Sequence, residues 1–310
     1  MNINGLHHIT AIASDPARNV AFYTGIMGLR MIKKTVNYDD PQTYHLYYGD
    51  EVGTPGTILT FFPFAHARRG SPGVGQVLSW SYRVLPGSHS YWKERLQSFA
   101  IEEVHSFVRF GERGIAFRDP DHFQIELIES SEALENRPWS ASEVPPEYAM
   151  QGFHGVTLGV SAHGPSGDFL EQLGAHKEGE EGDWQRFRLG KVPSVSRIDL
   201  KAMPDGPRGR SGWGTTHHIA FRTPSDEAQE ELLAQMQKRG ISVSPIRDRN
   251  YFNSIYFFEP GGVLLEIASD KPGFTIDEPL ETLGSQLSVP PWLEPHRAEL
   301  ERTLPPLSSE

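Results

Sequence analysis

The sequence repeats itself, and internal repetition confines a fold to architectures assembled from copies of one unit. The ends of the two halves show it first. FRDPDHFQIELIES, from Phe117 to Ser130, lies over FFEPGGVLLEIASD, from Phe257 to Asp270, with Glu126 and Glu266 in matching places. Both read as strand, acid-Pro turn, alternating strand. The unit beginnings also match: LHHITAIASDPARNVAFYTGIMGL from Leu6 compares with THHIAFRTPSDEAQEELLAQMQKRGI from Thr216. In each, a short strand runs into a Ser-Asp cap, Ser14-Asp15 or Ser225-Asp226. A helical pattern follows, carried by Val20, Phe22, Tyr23 and Ile26 or by Leu232, Leu233 and Met236, and stops near Gly28 or Gly240. Weaker copies begin at Ser79-Trp80-Ser81-Tyr82 and Phe153-His154-Gly155-Val156, with helices over Ser90 to Phe99 and about Gly167 to Leu173.

Four units of strand, helix and several strands therefore start near residues 6, 78, 153 and 216. The chain divides into residues 1–130 with the first two units, a linker over 131–150, residues 151–270 with the last two, and a Pro-rich tail over 271–310 that carries little periodicity. At 310 residues each half is long enough to bury a core. A hydrophobic content of 37% with 22% charged residues is globular, and no apolar run reaches the roughly 18 to 20 residues of a membrane span. The N-terminal MNINGLHHIT lacks the pattern of a secretory signal, so a cytoplasmic location is expected.

With no cysteine, disulfides, thiolate metal sites and cysteine nucleophiles are excluded, and any metal must be held by nitrogen and oxygen. A formal charge of -11 argues against a nucleic-acid partner, and the short basic pairs Lys33-Lys34 and Arg68-Arg69 read as solvated surface. No glycine-rich nucleotide motif is present. Self-association is left open.

Histidine and carboxylate grouping carries the chemistry. His7-His8 and His217-His218 are doublets in equivalent strands of the first and last units, and Glu266 sits on the last strand of the last unit. Adjacent side chains on a regular strand face opposite sides, so one His of each doublet can point into a shared cavity. Three ligands result. Two His and one carboxylate on one face of a metal leave positions open for substrate and O2, the pattern of non-haem Fe(II) enzymes. The remaining histidines, His45 among them, read as hydrogen-bonded structural residues, and Phe61, Phe62, Phe257 and Phe258 as core or pocket wall.

The four units, the LHHITAIASD and FYTGIMGLR opening, THHIAF and FFEPGGVLLEIA resemble the vicinal oxygen chelate superfamily of glyoxalases, bleomycin-resistance proteins and extradiol dioxygenases. The run from Pro41 to Phe64, PQTYHLYYGD to GTPGTILTFFPF, is similar to the hydroquinone-type ring-cleaving dioxygenases. The resemblance implies an α+β fold of four βαβββ modules paired into two open barrel-like domains. It implies one metal, usually Fe(II), with Mn, Zn and Ni not separated by sequence, held by His8, His218 and Glu266. Sharing one metal then requires the first and last units to face each other across one barrel and the middle two to form the other.

In two-domain extradiol enzymes the third unit supplies the first ligand, and here it offers His154. His8 is preferred, because GFHGVT laid over GLHHIT puts His154 on His7 and leaves Gly155 in the place of His8. His7 and His217 become candidates for supporting or proton-transfer roles, although strand alternation alone turns them away from the metal. Arg249 and Tyr256 match the subfamily pattern, Arg249 to stabilise an anionic oxygen and Tyr256 to hydrogen-bond substrate or an oxygenated intermediate. The activity implied is opening of a hydroquinone- or catechol-type ring with O2. Two other readings stand beside it: a glyoxalase-type lyase or isomerase, which normally wants a fourth ligand, and a metal-free binding protein for a small aromatic.

Overall fold

The computed structural model describes residues 1, 3–132, 136–192 and 194–308. Each repeat becomes a strand, a helix and three strands. The first is β1 (Leu6–Ala13), α1 (Pro16–Val20), β2 (Arg30–Asn37), β3 (Asp40–Gly49) and β4 (Ile58–Pro63). The second is β5 (Gln76–Val84), α2 (His89–Ser98), β6 (His105–Arg109), β7 (Glu112–Arg118) and β8 (Gln124–Glu129). The third is β9 (Phe153–Val160), α3 (His163–Leu173), β10 (His176–Glu181), β11 (Trp184–Leu189) and β12 (Ser196–Ala202). The fourth is β13 (Thr215–Thr223), α4 (Asp226–Lys238), β14 (Arg247–Asp248), β15 (Phe252–Phe258) and β16 (Leu264–Pro272).

The first and fourth helices start where their caps place them, whereas the third starts at His163, earlier than the expected Gly167. The Asp15 carboxylate accepts from the Arg18 amide with Pro16 in the first turn, and the Ser225 hydroxyl accepts from the Ala228 amide. The first helix continues as a π-helix over Ala21–Ile26. Gly28 and Gly240 stop their helices at φ values of 70° and 74°, a conformation that a side chain disfavours.

Two eight-stranded curled sheets form the α+β architecture. The orders are β14-β15-β16-β13-β1-β4-β3-β2 and β10-β11-β12-β9-β5-β8-β7-β6. Each sheet takes one module from either side of the segment 131–150, so the first module meets the fourth through an antiparallel β1–β13 seam and the second meets the third through β5–β9. Within each module the first and last strands pair in parallel. Ile9, Ala11, Ile219, Phe221, Leu265 and Ile267 leave one face of the first sheet for the shared hydrophobic core, where Leu232 and Met236 of α4 join them. Their polar neighbours leave the other face.

The linker expected over 131–150 falls in part on residues 133–135, outside the described residues. The rest is bonded to both sheets: the Glu51 amide donates to the Arg137 carbonyl at 2.7 Å and the Arg137 amide to Asp50 at 2.9 Å, while the Trp92 indole N–H of α2 donates to the Tyr148 carbonyl at 2.9 Å. The tail, whose last two residues also lie outside the description, packs on the first sheet with Phe274 buried against Tyr47 and Tyr251. Lys33 corrects the surface reading given to its basic pair. It faces the interior, fully buried, and its ammonium reaches Asp277 at 2.6 Å and Glu278 in the tail. A buried ammonium is tolerable only with such partners, and sequence spacing cannot reveal partners more than 240 residues away.

Candidate metal centre

Strand register builds the site. Thr10 pairs with His218 across the β1–β13 seam, Ala220 of β13 pairs with Glu266 of β16, and Glu266 pairs with Tyr256 of β15. Directly opposed residues share a face, so these side chains converge on one concave surface. His8 and His218 bring their Nε2 atoms within 3.2 Å of each other, and Glu266 Oε2 lies 3.5 Å from the first and 2.9 Å from the second. All three residues are buried. They form the one group of three or more His, Asp or Glu side chains, among the described residues, placed to hold an ion.

The donor set fits a metal on its own chemistry. Glu266 Oε1 is fixed by the Ser254 hydroxyl, while Oε2 is buried and has no hydrogen bond. An orphaned carboxylate oxygen facing two imidazole nitrogens is costly unless a cation completes it. Burial works to raise the Glu266 carboxyl, but the adjacent His8 and His218 hold it well below the usual carboxylate range. Burial lowers His218 against the opposing pull of Glu266, which favours the neutral imidazole a metal requires.

The leading histidines depart from regular alternation. A bulge falls between Leu6 and His8 opposite Phe221 and Ala220, and a second makes His217 the extra residue opposite Thr10 and Ala11. Each bulge re-aims a side chain that a straight strand would turn away. His7 Nδ1 comes to 2.9 Å from His8 Nδ1, and His217 Nδ1 to 2.7 Å from His218 Nδ1. With both Nε2 atoms directed at the centre, the Nδ1–H of each inner imidazole is left to donate to its leading neighbour. Burial, then the adjacent imidazole, lowers His7 well below its ordinary value and brings His217 down to about 4, so both stay neutral acceptors at neutral pH.

Arg249 and Tyr256 meet as well. Arg249 Nε donates to the Tyr256 hydroxyl at 3.1 Å, and its guanidinium reaches across to Asp39 of the β2–β3 turn at 3.6 Å. Burial, and then the Glu266 carboxylate, raise the Tyr256 phenol and keep it protonated. The cavity enclosed by these groups is about 210 Å³, room for one small aromatic ring, and Phe62, Phe64 and Phe252 supply apolar wall.

Both nitrogens of His45 are hydrogen-bonded, to the Thr60 and Tyr47 hydroxyls at 2.9 Å each, as a structural histidine requires. It nevertheless lines the cavity, as do Thr10, Tyr38 and Tyr47. Alternation within TYHLYYG could have placed His45 and Tyr47 on one face, although not which face.

In the second sheet the same frame carries other residues. Gly155 stands where the first sheet has His8, Ser79 where it has His218, and Glu126 where it has Glu266. Arg109, in the register position of Arg249, bonds Glu126 and also meets Asp199 at 3.2 Å. His154 is the bulge residue of β9, and its Nε2 is engaged by Glu112 at 3.0 Å. It shares no cluster with His218 and Glu266.

A paired-module α+β fold with one concave His-His-Glu centre defines the class. A sequence profile of the Glyoxalase/Bleomycin resistance protein/Dioxygenase superfamily matches residues 5–127 and 152–267, and the chain belongs to that family. Among individual relatives, the Bacillus subtilis protein MhqO, provisionally named a ring-cleaving dioxygenase, is 47% identical over 97% of this chain and 96% of its own. The chlorohydroquinone/hydroquinone 1,2-dioxygenase of Sphingobium indicum is 36% identical over 97% of this chain and 96% of its own. A crystal structure of a Bacillus subtilis protein provisionally described as a dioxygenase superposes with a TM-score of 0.93 at 46% identity, covering 100% of this chain and 99% of that one. Glyoxalase I of Zea mays, at 15% identity and a TM-score of 0.63 over 86% of this chain and 92% of its own, shares the fold.

Proposed function

We propose that the protein is an Fe(II)-dependent, extradiol-type ring-cleaving dioxygenase acting on a hydroquinone- or catechol-type aromatic. The observation that carries this is the orphaned Glu266 Oε2 facing His8 and His218 at the base of an aromatic-walled cavity. The relatives' names agree with ring cleavage by a dioxygenase and, for one of them, with a hydroquinone as the ring. His8, His218 and Glu266 are the ligands in this reading, and a 2-His-1-carboxylate face leaves positions for a phenolate oxygen and O2. When bound, the metal supplies the electron path between substrate and O2 that a closed-shell protein side chain cannot. Both oxygen atoms enter the product as one ring C–C bond beside a hydroxylated carbon breaks.

The chain's own groups do the rest. Phe62, Phe64 and Phe252 hold the ring and exclude water. Neutral His7 and His217 fix the orientation of the ligand imidazoles through Nδ1. His217, which also borders the cavity, is placed to take the phenolic proton. Tyr256, protonated, donates to an oxygen at the reacting carbon, and Arg249 directs positive charge at the same place. No fourth ligand joins the three among the described residues, which disfavours isomerase chemistry of the glyoxalase kind. O2 uptake by anaerobically Fe(II)-reconstituted protein with hydroquinone, methylhydroquinone and catechol tests the reading. Uptake stoichiometric with ring loss and absent in His218→Ala is expected; tight Fe binding with no uptake on any of the three would overturn it.

A further inference from the structure

β2 and β14 are opposite edges of the first sheet, yet the sheet curls until the turns beside them meet across the cavity mouth. Asp39, in the β2–β3 turn, comes within 3.6 Å of Arg249 Nη1, just beyond β14. The turn is pinned, because the Asn37 carboxamide oxygen accepts from the Asp39 amide at 3.0 Å. Asn37, Asp39 and Arg249 all line the cavity, and Arg249 is the one Arg or Lys that does so among the described residues. Lys33, on β2, is committed to Asp277 and Glu278. Burial works to lower the Arg249 guanidinium, but Tyr256 and then Asp39 hold its charge. The cavity thus has a single cationic side chain, and a carboxylate already faces it. The Asp39 side chain is 76% exposed, so its charge also meets whatever enters.

Resting on the ring-cleavage reading above, we infer that Asp39 is a specificity residue that reserves the site for rings without an anionic substituent. One carboxylate acts in two ways: it competes with an incoming anion for Arg249, and it repels that anion at the mouth. Charge balance works in the same direction. With a divalent ion bound, Glu266, Arg249 and Asp39 leave one positive charge in the cavity, and one phenolate oxygen neutralises it. A carboxylate or sulfonate elsewhere on the ring is then a second negative charge with no counter-ion of its own, beside the apolar wall of Phe62, Phe64 and Phe252. A neutral substituent meets no such penalty. Because the Asp39 side chain is solvated, screening limits the discrimination to roughly tenfold.

The test is calorimetric binding, under anaerobic conditions, of hydroquinone, 2,5-dihydroxyphenylacetate and 2,5-dihydroxyphenylacetamide to the Fe(II)-loaded protein. The acid and the amide have nearly the same shape and differ in charge, so their ratio isolates the electrostatic part. Wild type should bind the amide roughly tenfold more tightly than the acid, and Asp39→Glu, which keeps the charge, should preserve that ratio. Asp39→Asn should bring the two ligands within about threefold of each other by tightening the acid, while the amide stays within about threefold of its wild-type affinity. A preference for the amide that survives in Asp39→Asn overturns the assignment and leaves the ring-cleavage reading standing. Equal loss of both affinities in that variant makes Asp39 a residue that only shapes the turn, and overturns it too. A wild type that binds acid and amide alike, or that binds hydroquinone and neither of them, also overturns the inference. A wild type that does not bind hydroquinone overturns the hydroquinone reading together with it.

Discussion

Tyr256 stands directly across the β15–β16 ladder from Glu266, so the phenol and the carboxylate leave the sheet on the same face within one hairpin. The two can therefore be separated by substitution. Tyr256→Phe keeps the aromatic wall and removes the proton that Arg249 orients. Metal content should match wild type while kcat falls about 10²-fold, the usual scale for a positioned acid. Metal analysis beside steady-state kinetics checks both halves, and a loss of metal would show that the phenol supports the centre instead.

Removing a ligand should have the opposite signature. Glu266→Ala or His218→Ala should bind less than a tenth of the wild-type metal after anaerobic loading. A companion experiment needs no variant. Metal-loaded protein should melt at higher temperature than chelator-treated protein, because the ion binds the folded cluster and not the unfolded chain. An unchanged Tm would argue that the cluster holds no ion.

The bulged histidines predict an intermediate effect. His7→Phe deprives the His8 Nδ1–H of its acceptor at 2.9 Å. Metal affinity should fall by about 10- to 100-fold, and His7→Asn, which restores an acceptor, should recover part of it. Equilibrium competition with a chelator measures this without turnover. If both substitutions bind metal as wild type does, the contact orients nothing.

Acid sensitivity is expected on the other sheet. Burial works to raise Glu112, but its hydrogen bond to His154, and the charges of His154 and Arg186, bring it down from 4.5 to about 2. A carboxyl whose folded value is depressed contributes stability above its unfolded value, and that contribution disappears as pH falls from about 4.5 towards 2. With partial exposure discounting the full shift, Glu112→Gln should cost about 2 kcal/mol at neutral pH and flatten the stability slope in that window. Denaturant titrations at pH 7, 4 and 3 follow it; parallel curves for the two proteins would dismiss the pair.

The clasp between Lys33 and the tail makes the tail part of the fold. Glu278→Ala leaves a buried ammonium with Asp277 as its remaining carboxylate partner. A loss of about 2 to 3 kcal/mol is expected, smaller than the full cost of orphaning a buried ion. Lys33→Met, which removes the charge itself, should cost less than Glu278→Ala; the reverse order would place the tail's contribution in its apolar contacts.

What could be read in the sequence was what short-range pattern encodes. Acid-Pro turns, caps and alternating strands recur at fixed offsets, so the four units and the matched Glu126 and Glu266 were visible. The pairing of the first unit with the fourth followed from the demand that His8 and His218 share one ion. The bulges were not visible, because no glycine or other special residue marks His7 or His217 as the extra residue; only the pairing of two strands far apart in sequence creates them. Lys33 failed for the same reason, since its burial depends on a tail that has no periodicity.

The seam between β1 and β13 also fixes an order of events at the ribosome. Modules two and three are contiguous and can close their sheet as soon as both have emerged, whereas β1 must wait for a partner made much later. The ligands at positions 8, 218 and 266 exist as a set only after the last strand has been translated. A nascent chain therefore has the histidines but not the cluster, and an ion that needs all three groups could be held only once β16 has emerged.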